Sequence, residues 1–96
     1  MDRSQTLHIL RAHRGILERR FGVTRLALFG STVRNAARED SDVDILVAFD
    51  GPATSQRYFG VQFYLEDLLG RPVDLVTDKA LRPELRPHVE REAVHV

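Results

Sequence analysis

The sequence predicts a small α/β (α+β) domain in which helices pack on a mixed β-sheet of three or four strands. Three apolar runs of strand length, at 26–29, 45–49 and 72–77, are separated by segments with helical periodicity or turn residues. A chain of 96 residues has room for one hydrophobic core. We therefore expect a single domain over residues 1–96.

The composition excludes several classes of protein. Fourteen basic and fourteen acidic residues give a net charge of zero, whereas binding to nucleic acid through bulk electrostatics needs a basic surface. The absence of cysteine excludes disulfides and thiolate metal sites. The apolar stretch 7–10 is too short for a signal peptide, and no stretch approaches transmembrane length. We expect a cytoplasmic protein that contacts neither membrane nor nucleic acid directly.

The first segment, 4–21, has the periodicity of an amphipathic helix. Ser4 is a suitable N-cap, and Gly22 is suited to end the helix in a left-handed conformation. His13 falls near the apolar face. Because no second histidine lies at ligand spacing, we interpret it as a half-buried packing residue.

The first strand, 24–29, ends at Gly30 and Ser31, which open a short helix predicted over 32–37. Glycine lets the backbone approach a ligand closely. The serine hydroxyl and the free N–H groups at a helix start can hold a phosphate. This stretch therefore predicts a phosphate site.

Two carboxylates, Asp42 and Asp44, lie at the start of the second strand, 42–49. Residues two apart in a strand point the same way, so both carboxylates project together and repel unless a cation lies between them. Hard oxygen ligands suit Mg²⁺ or Mn²⁺, and Mg²⁺ is often shared with substrate phosphates. If Ser31, just after the first strand, belongs to the same site, the first strand ends where the second begins. The two strands are then antiparallel.

The segment 56–69 predicts a second helix, with Thr54 or Ser55 as its cap and Gly70 at its end. Its broad apolar stripe favours packing against the sheet, although part of it could instead form a partner interface. The stripe comprises Tyr58, Val61, Leu65 and Leu68, with Phe59, Phe63 and Leu69 beside them.

The third strand, 72–77, carries a single carboxylate, Asp74, near its start. A lone aspartate in an apolar strand is costly to bury, so it either pairs with an arginine or belongs to a functional site. If it joins Asp42 and Asp44, the second and third strands are parallel and the sheet is mixed. Beyond it, two prolines limit the next helix to about 83 or 87 to 91, and 92–96 can form an edge strand.

One stretch of the chain resembles the signature of the DNA polymerase β-like nucleotidyltransferase superfamily. It consists of Gly30-Ser31, ten further residues and then Asp42-Val43-Asp44. The additional matches Arg34, Ser41 and Val47 resemble its minimal nucleotidyltransferase (MNT) subgroup, which supplies antitoxins of HEPN–MNT toxin–antitoxin pairs. The resemblance implies the nucleotidyltransferase fold. It also implies Gly30, Ser31, Arg34 and Ser41 as nucleotide-binding residues.

The resemblance further implies a two-metal mechanism with ATP as the substrate. Asp42 and Asp44 are then expected to bridge two Mg²⁺ ions, with Mn²⁺ as an alternative. Asp74 is expected to complete the metal set or to act as the base, so the catalytic and metal-binding residues coincide. Ser31 holds the β- and γ-phosphates, while Arg34 reaches either a phosphate or a carboxylate.

The family also implies a partner and a reaction, namely transfer of AMP from ATP to a tyrosine of a HEPN ribonuclease toxin. Ninety-six residues leave no room for an acceptor-binding domain, which favours a hetero-oligomer with that toxin. Two alternatives stay open: an antitoxin that acts by binding alone, and a small-molecule nucleotidyltransferase. The repulsive acidic cluster disfavours the first, and the absent acceptor domain disfavours the second.

Overall fold

The computed structural model describes residues 2–34 and 42–96. Over these residues the helices are α1 (Arg3–Phe21), α2 (Ser55–Leu69) and α3 (Arg86–Glu92). The strands are β1 (Val23–Phe29), β2 (Val43–Phe49), β3 (Val73–Thr77) and β4 (Val94–His95). Short 3₁₀ turns cover Gly30–Thr32 and Asp78–Ala80.

The strands form one mixed sheet in the order β3-β2-β1-β4. β2 runs antiparallel to β1 and parallel to β3, as the sequence predicts, and β4 joins the outer side of β1 as an antiparallel edge strand. The C-terminal end of β1 and the N-terminal ends of β2 and β3 therefore meet at one edge of the sheet. This meeting point positions the candidate site.

Both faces of the sheet are covered, which explains why β2 is apolar without strict alternation. On one face, Ile45 and Val47 pack with Leu10 of α1 and Leu65 of α2. On the other face, Leu46 packs with residues of the C-terminal segment, including Leu81 and Val89. The central strand thus contributes to two clusters of the core.

Helix α1 begins earlier than predicted, and its N-cap is Asp2 rather than Ser4. The Asp2 carboxylate accepts the backbone N–H of Gln5 at 2.8 Å, and the Gln5 side chain accepts the N–H of Asp2 at 3.0 Å. This reciprocal capping box satisfies two helix-start donors at once, which explains why the prediction of Ser4 was wrong. Gly22 ends the helix with φ of 75°, as predicted.

The packing interpretation of His13 is confirmed. Its ring is half-buried, with Nδ1 2.7 Å from the hydroxyl oxygen of Tyr64 on α2. The predicted caps of α2 are also confirmed, since Thr54 accepts the N–H of Arg57 and Gly70 follows the helix with φ of 66°. Within the described parts of the chain, no helix is both long and apolar enough to cross a membrane.

Two residues of the predicted apolar stripe of α2 lie outside the core. Phe59 and Phe63 are 49% and 60% exposed, and their rings stack with centroids 6.2 Å apart. Each precedes a buried residue, Val61 or Leu65, by two positions, which is about 200° around a helix. The prediction that both phenylalanines widen the packing face was therefore wrong.

The loop after β1 also differs from the prediction. A 3₁₀ turn over Gly30–Thr32 and a turn at 33–34 replace the start of the helix predicted over 32–37, and positions 35–37 lie outside the described residues. Helix α3 and β4 confirm a short helix followed by an edge strand, and the helix ends one residue later than predicted, at Glu92.

Side chains of α2 form hydrogen bonds with the backbone N–H and C=O groups of β3 that point away from β2. The Tyr58 hydroxyl donates to the carbonyl of Leu75 at 2.5 Å. The Gln62 amide donates to the carbonyl of Val73 at 3.3 Å, and the Glu66 carboxylate accepts the N–H of Val73 at 2.9 Å. An edge strand with occupied polar groups is a poor template for pairing with another chain.

We expect Glu66→Ala to lower the free energy of unfolding by about 1 kcal/mol, because the partly buried N–H of Val73 loses its acceptor. Urea unfolding measures the change. Asp67→Ala is the matched control, because Asp67 is an exposed carboxylate at the next position of the same helix. Equal effects of the two substitutions would contradict the role of Glu66.

Candidate active site

The candidate site lies where β1 ends and where β2 and β3 begin. The register places Phe29 of β1 opposite Asp44 of β2, and Asp44 beside Asp74 of β3. Asp42 comes directly before β2 and is exposed. Because neighbouring strands are about 4.8 Å apart, Asp44 and Asp74 lie side by side. The structure thus brings together the three carboxylates that the sequence singles out.

Asp44 is the central carboxylate of this group. It is half-buried, and burial is the main cause that raises its pKa from 3.8 to about 6. The charge of Asp74 and a hydrogen bond between the two side chains raise the pKa further, followed by the charges of Asp42 and Glu92. A proton or cation that reduces the local negative charge therefore stabilises Asp44 in the folded protein.

Gly30 is required by the position of Asp44. Its φ is 77°, in the left-handed region that glycine adopts most readily. A Cβ atom at this position would overlap Oδ2 of Asp44 and lie 2.8 Å from its Cγ. The glycine therefore allows the end of β1 to pass directly against the central carboxylate.

The turn after Gly30 holds the candidate phosphate residues. Ser31 is half-buried, and the N–H groups of Val33 and Arg34 donate to the Gly30 carbonyl at 3.2 and 3.4 Å. Thr32 is 2% exposed, and its hydroxyl has no hydrogen-bond partner in the described parts of the chain. Sequence reasoning did not single out Thr32, and an unpartnered hydroxyl can be found only in three dimensions.

Arg34 and Glu92 form an ion pair at the rim of the site. The Arg34 side chain is 56% exposed, whereas that of Glu92, the last residue of α3, is 13% exposed. Sequence reasoning included Arg34 but missed Glu92, because nothing in the local pattern near the C-terminus indicates proximity to Asp44. Ser41, the other predicted nucleotide-binding residue, lies outside the described residues.

The donor chemistry of the site fits a hard divalent cation. Asp44 and Asp74 share a hydrogen bond at the point where a bridging cation would relieve their repulsion, and carboxylate oxygens are the ligands that Mg²⁺ prefers. Over residues 2–34 and 42–96, no group of three or more His, Cys, Asp or Glu side chains has the arrangement of a metal site.

Comparison with protein families supports this geometry. The model of the nucleotidyltransferase domain family matches residues 10–96. A protein adenylyltransferase, MntA from Thermococcus cleftensis, is 47% identical over 88 residues. That match covers 92% of this chain and 89% of MntA. Family membership thus extends over nearly the whole chain, including all three carboxylates.

Solved structures share the fold. A structure described as a minimal nucleotidyltransferase is 42% identical, with a TM-score of 0.77 and coverage of 98% of this chain and 95% of that chain. An MNT antitoxin in complex with a tri-AMPylated HEPN toxin from Shewanella oneidensis gives a TM-score of 0.60 at 19% identity. This second match covers 97% of this chain and 66% of that chain, and it supports the fold alone.

We expect Asp44→Asn to raise the free energy of unfolding at pH 7 by about 1–2 kcal/mol, after allowance for solvent screening. The folded state binds the Asp44 proton more tightly than the unfolded chain, so wild-type stability falls as the pH rises from about 4 to about 6. Because asparagine does not ionise, the stability of the variant does not fall through this effect as the pH rises. Urea unfolding at pH 4 and pH 7 measures it.

The gain from Asp44→Asn should largely vanish at pH 4, where Asp44 is protonated in the folded state. Asp42→Asn serves as the comparison, since Asp42 is exposed and contributes a smaller part of the repulsion. A variant that is less stable than wild type at pH 7, or equally stabilised at both pH values, contradicts this account of Asp44.

We expect Gly30→Ala to destabilise the fold by more than about 2 kcal/mol, since it adds a steric overlap to the cost of a positive φ. Gly70→Ala is the matched control, because Gly70 has φ of 66° but no atom within 4 Å of an added Cβ. Thermal unfolding compares the two. If both substitutions cost the same, the close approach of Gly30 to Asp44 contributes nothing.

Proposed function

The chain belongs to the nucleotidyltransferase domain family and is a nucleotidyltransferase, and we propose that it is an antitoxin that modifies its toxin. In this proposal it transfers AMP from ATP to a tyrosine of a cognate HEPN ribonuclease toxin and thereby neutralises the toxin. The similarity to a protein adenylyltransferase over 92% of the chain supports AMP as the transferred group and a protein as the acceptor.

The observation that carries the proposal is the carboxylate group around Asp44. Asp44 and Asp74 lie in two parallel strands and Asp42 comes directly before the first of them, so the three negative charges repel one another and do not stabilise the fold. A protein that acted only by binding would gain nothing from such a group. The arrangement is explained if the carboxylates hold cations that bind a nucleotide.

In the proposed mechanism, residues of the turn after β1 bind the triphosphate. Ser31 donates its hydroxyl to a phosphate oxygen, and backbone N–H groups at the start of the turn supply further donors. Arg34, at the rim, offers a guanidinium to the same polyphosphate. These contacts fix the α-phosphorus in front of the carboxylates.

Asp42, Asp44 and Asp74 are the residues that would hold two Mg²⁺ or Mn²⁺ ions. When bound, the two ions stabilise the attacking and leaving oxygens of an in-line displacement. The tyrosine oxygen forms a bond to the α-phosphorus as the bond between the α-phosphorus and its bridging oxygen breaks, which releases pyrophosphate. Asp74, which is exposed, would either complete this metal set or accept the phenol proton.

The acceptor is proposed to come from another chain. The fold places the carboxylates at an open sheet edge, and the described residues include no further domain that could hold an acceptor over them. The structural neighbour from Shewanella oneidensis is an MNT antitoxin bound to an AMPylated HEPN toxin. We therefore propose a hetero-oligomer with a HEPN toxin, in the cytoplasm where both ATP and the RNA targets of a ribonuclease are present.

The deciding experiment is the intact mass of the cognate HEPN toxin after incubation with this protein, ATP and MgCl₂. We expect the toxin to gain one or more AMP units, and fragment spectra to locate them on tyrosine. Asp44→Asn should reduce the rate by at least about a thousandfold, because it removes a metal-bridging carboxylate. Chelation of Mg²⁺ with EDTA should stop the reaction of the wild type.

Two other outcomes separate the alternatives. A stable complex with both wild type and Asp44→Asn, but without a mass gain in either case, would favour neutralisation by binding alone. Transfer to small hydroxylated molecules, with no modification of the toxin, would favour a small-molecule nucleotidyltransferase. Either result overturns the proposed acceptor.

A further inference from the structure

Glu92 is an acidic side chain that the sequence pattern does not connect with the site, although the fold places it there. It is the last residue of α3, and its side chain is 13% exposed. Its Oε1 pairs with Nη1 of Arg34, on the chain that leaves the Gly30 turn. It is also near enough to Asp44 for its charge to act on that carboxylate. Glu92 thus contacts the candidate phosphate loop from the far end of the sequence.

A purely structural role explains Glu92 poorly. Arg34 is 56% exposed, and an ion pair with such an exposed partner contributes little to stability. The side chain of His88 is 73% exposed, and its Nε2 lies 3.9 Å from Oε2 of Glu92. Meanwhile Glu92 adds a nearly buried negative charge to an edge that already carries three carboxylates. A neutral residue would serve packing better.

We propose that Glu92 is a positioning residue that orients Arg34 toward the polyphosphate of a bound nucleotide. The inference rests on the nucleotide site of the proposed function and adds a residue to it. A guanidinium presents five N–H donors in one plane. Glu92 engages Nη1 and so holds the guanidinium beside the turn, where a phosphate can accept hydrogen bonds from Nη2 and Nε.

The ion pair between Glu92 and Arg34 is proposed to strengthen nucleotide binding by holding the Arg34 side chain in place beforehand. A free arginine side chain loses much rotamer freedom when it binds a phosphate, and this loss weakens the interaction. In the folded protein, Glu92 has already restricted Arg34 before the nucleotide arrives. The same contact ties helix α3 to the phosphate turn.

The test is a double-mutant cycle on ATP binding, measured by calorimetry with ATP and MgCl₂ and without any acceptor. We expect Arg34→Gln to weaken binding about tenfold, the loss of one charge-assisted contact. Glu92→Gln should weaken it about three- to fivefold. The double variant should bind no more than about twofold more weakly than Arg34→Gln alone, because Glu92 acts through Arg34.

Glu90→Gln is the matched control. Glu90 is on the same helix, but it pairs with Arg25 and Arg86 rather than with Arg34, so ATP binding should stay unchanged. If Glu92→Gln fails to fold, as judged by circular dichroism, Glu92→Asp replaces it. That variant keeps the charge but shortens the reach to Arg34, and it should weaken ATP binding two- to threefold.

Several results would overturn the inference. The effects of Arg34→Gln and Glu92→Gln could multiply in the double variant, or a folded Glu92 variant could bind ATP as tightly as wild type or more tightly. A wild-type protein that binds no ATP would remove both the inference and the proposed function. ATP binding with the expected coupling, but without modification of the toxin, would overturn only the proposed acceptor.

Discussion

The proximity of Asp44 to Gly30 and Asp74 is the constraint on which the candidate site depends. A half-buried carboxylate beside another carboxylate is unfavourable unless a proton or cation offsets the repulsion. The sheet imposes this arrangement, because antiparallel β1 brings its end to Asp44 and parallel β3 brings Asp74 beside it. The glycine at position 30 is what lets the backbone pass so close.

The rest of the fold compensates for this unfavourable edge. Apolar residues of β2 pack on both faces of the sheet and so stabilise the strand that begins at the acidic group. Side chains of α2 occupy the outward polar groups of β3, the edge strand that carries Asp74. Stability is thus concentrated away from the site, as expected where function needs a repulsive charge group.

The C-terminal segment has two roles in this arrangement. Leu81 and Val89 cover the face of the sheet opposite α1 and α2, and β4 extends β1. The same segment places Glu92 against Arg34. In the proposed function the chain supplies the nucleotide and cation site, whereas the acceptor comes with the toxin. In this proposal a short domain suffices, because only the end of the sheet that carries the three carboxylates must stay accessible to the toxin.

The sequence by itself determined the order of strands β1 to β4 and of helices α1 to α3, and the helix ends at Gly22 and Gly70, because these follow from local conformational preference and periodicity. Strand alternation also predicted that Asp42 and Asp44 project together beside Gly30. It also predicted the directions of the strands, on the condition that Asp74 shares one site with Asp42 and Asp44, because all three lie near the starts of their strands.

Only the tertiary structure decided the remaining features. The exposure of Phe59 and Phe63 depends on which side of α2 meets the sheet, and a broad apolar stripe leaves that side unspecified. The cap at Asp2 is different, because its reciprocal pair with Gln5 is local and is present in the sequence, where the prediction of Ser4 overlooked it. The contact between Glu92 and Arg34 joins residues 58 positions apart, and no local pattern encodes such a distance. Proximity of this kind arises only when the strands pair and the last helix packs against them.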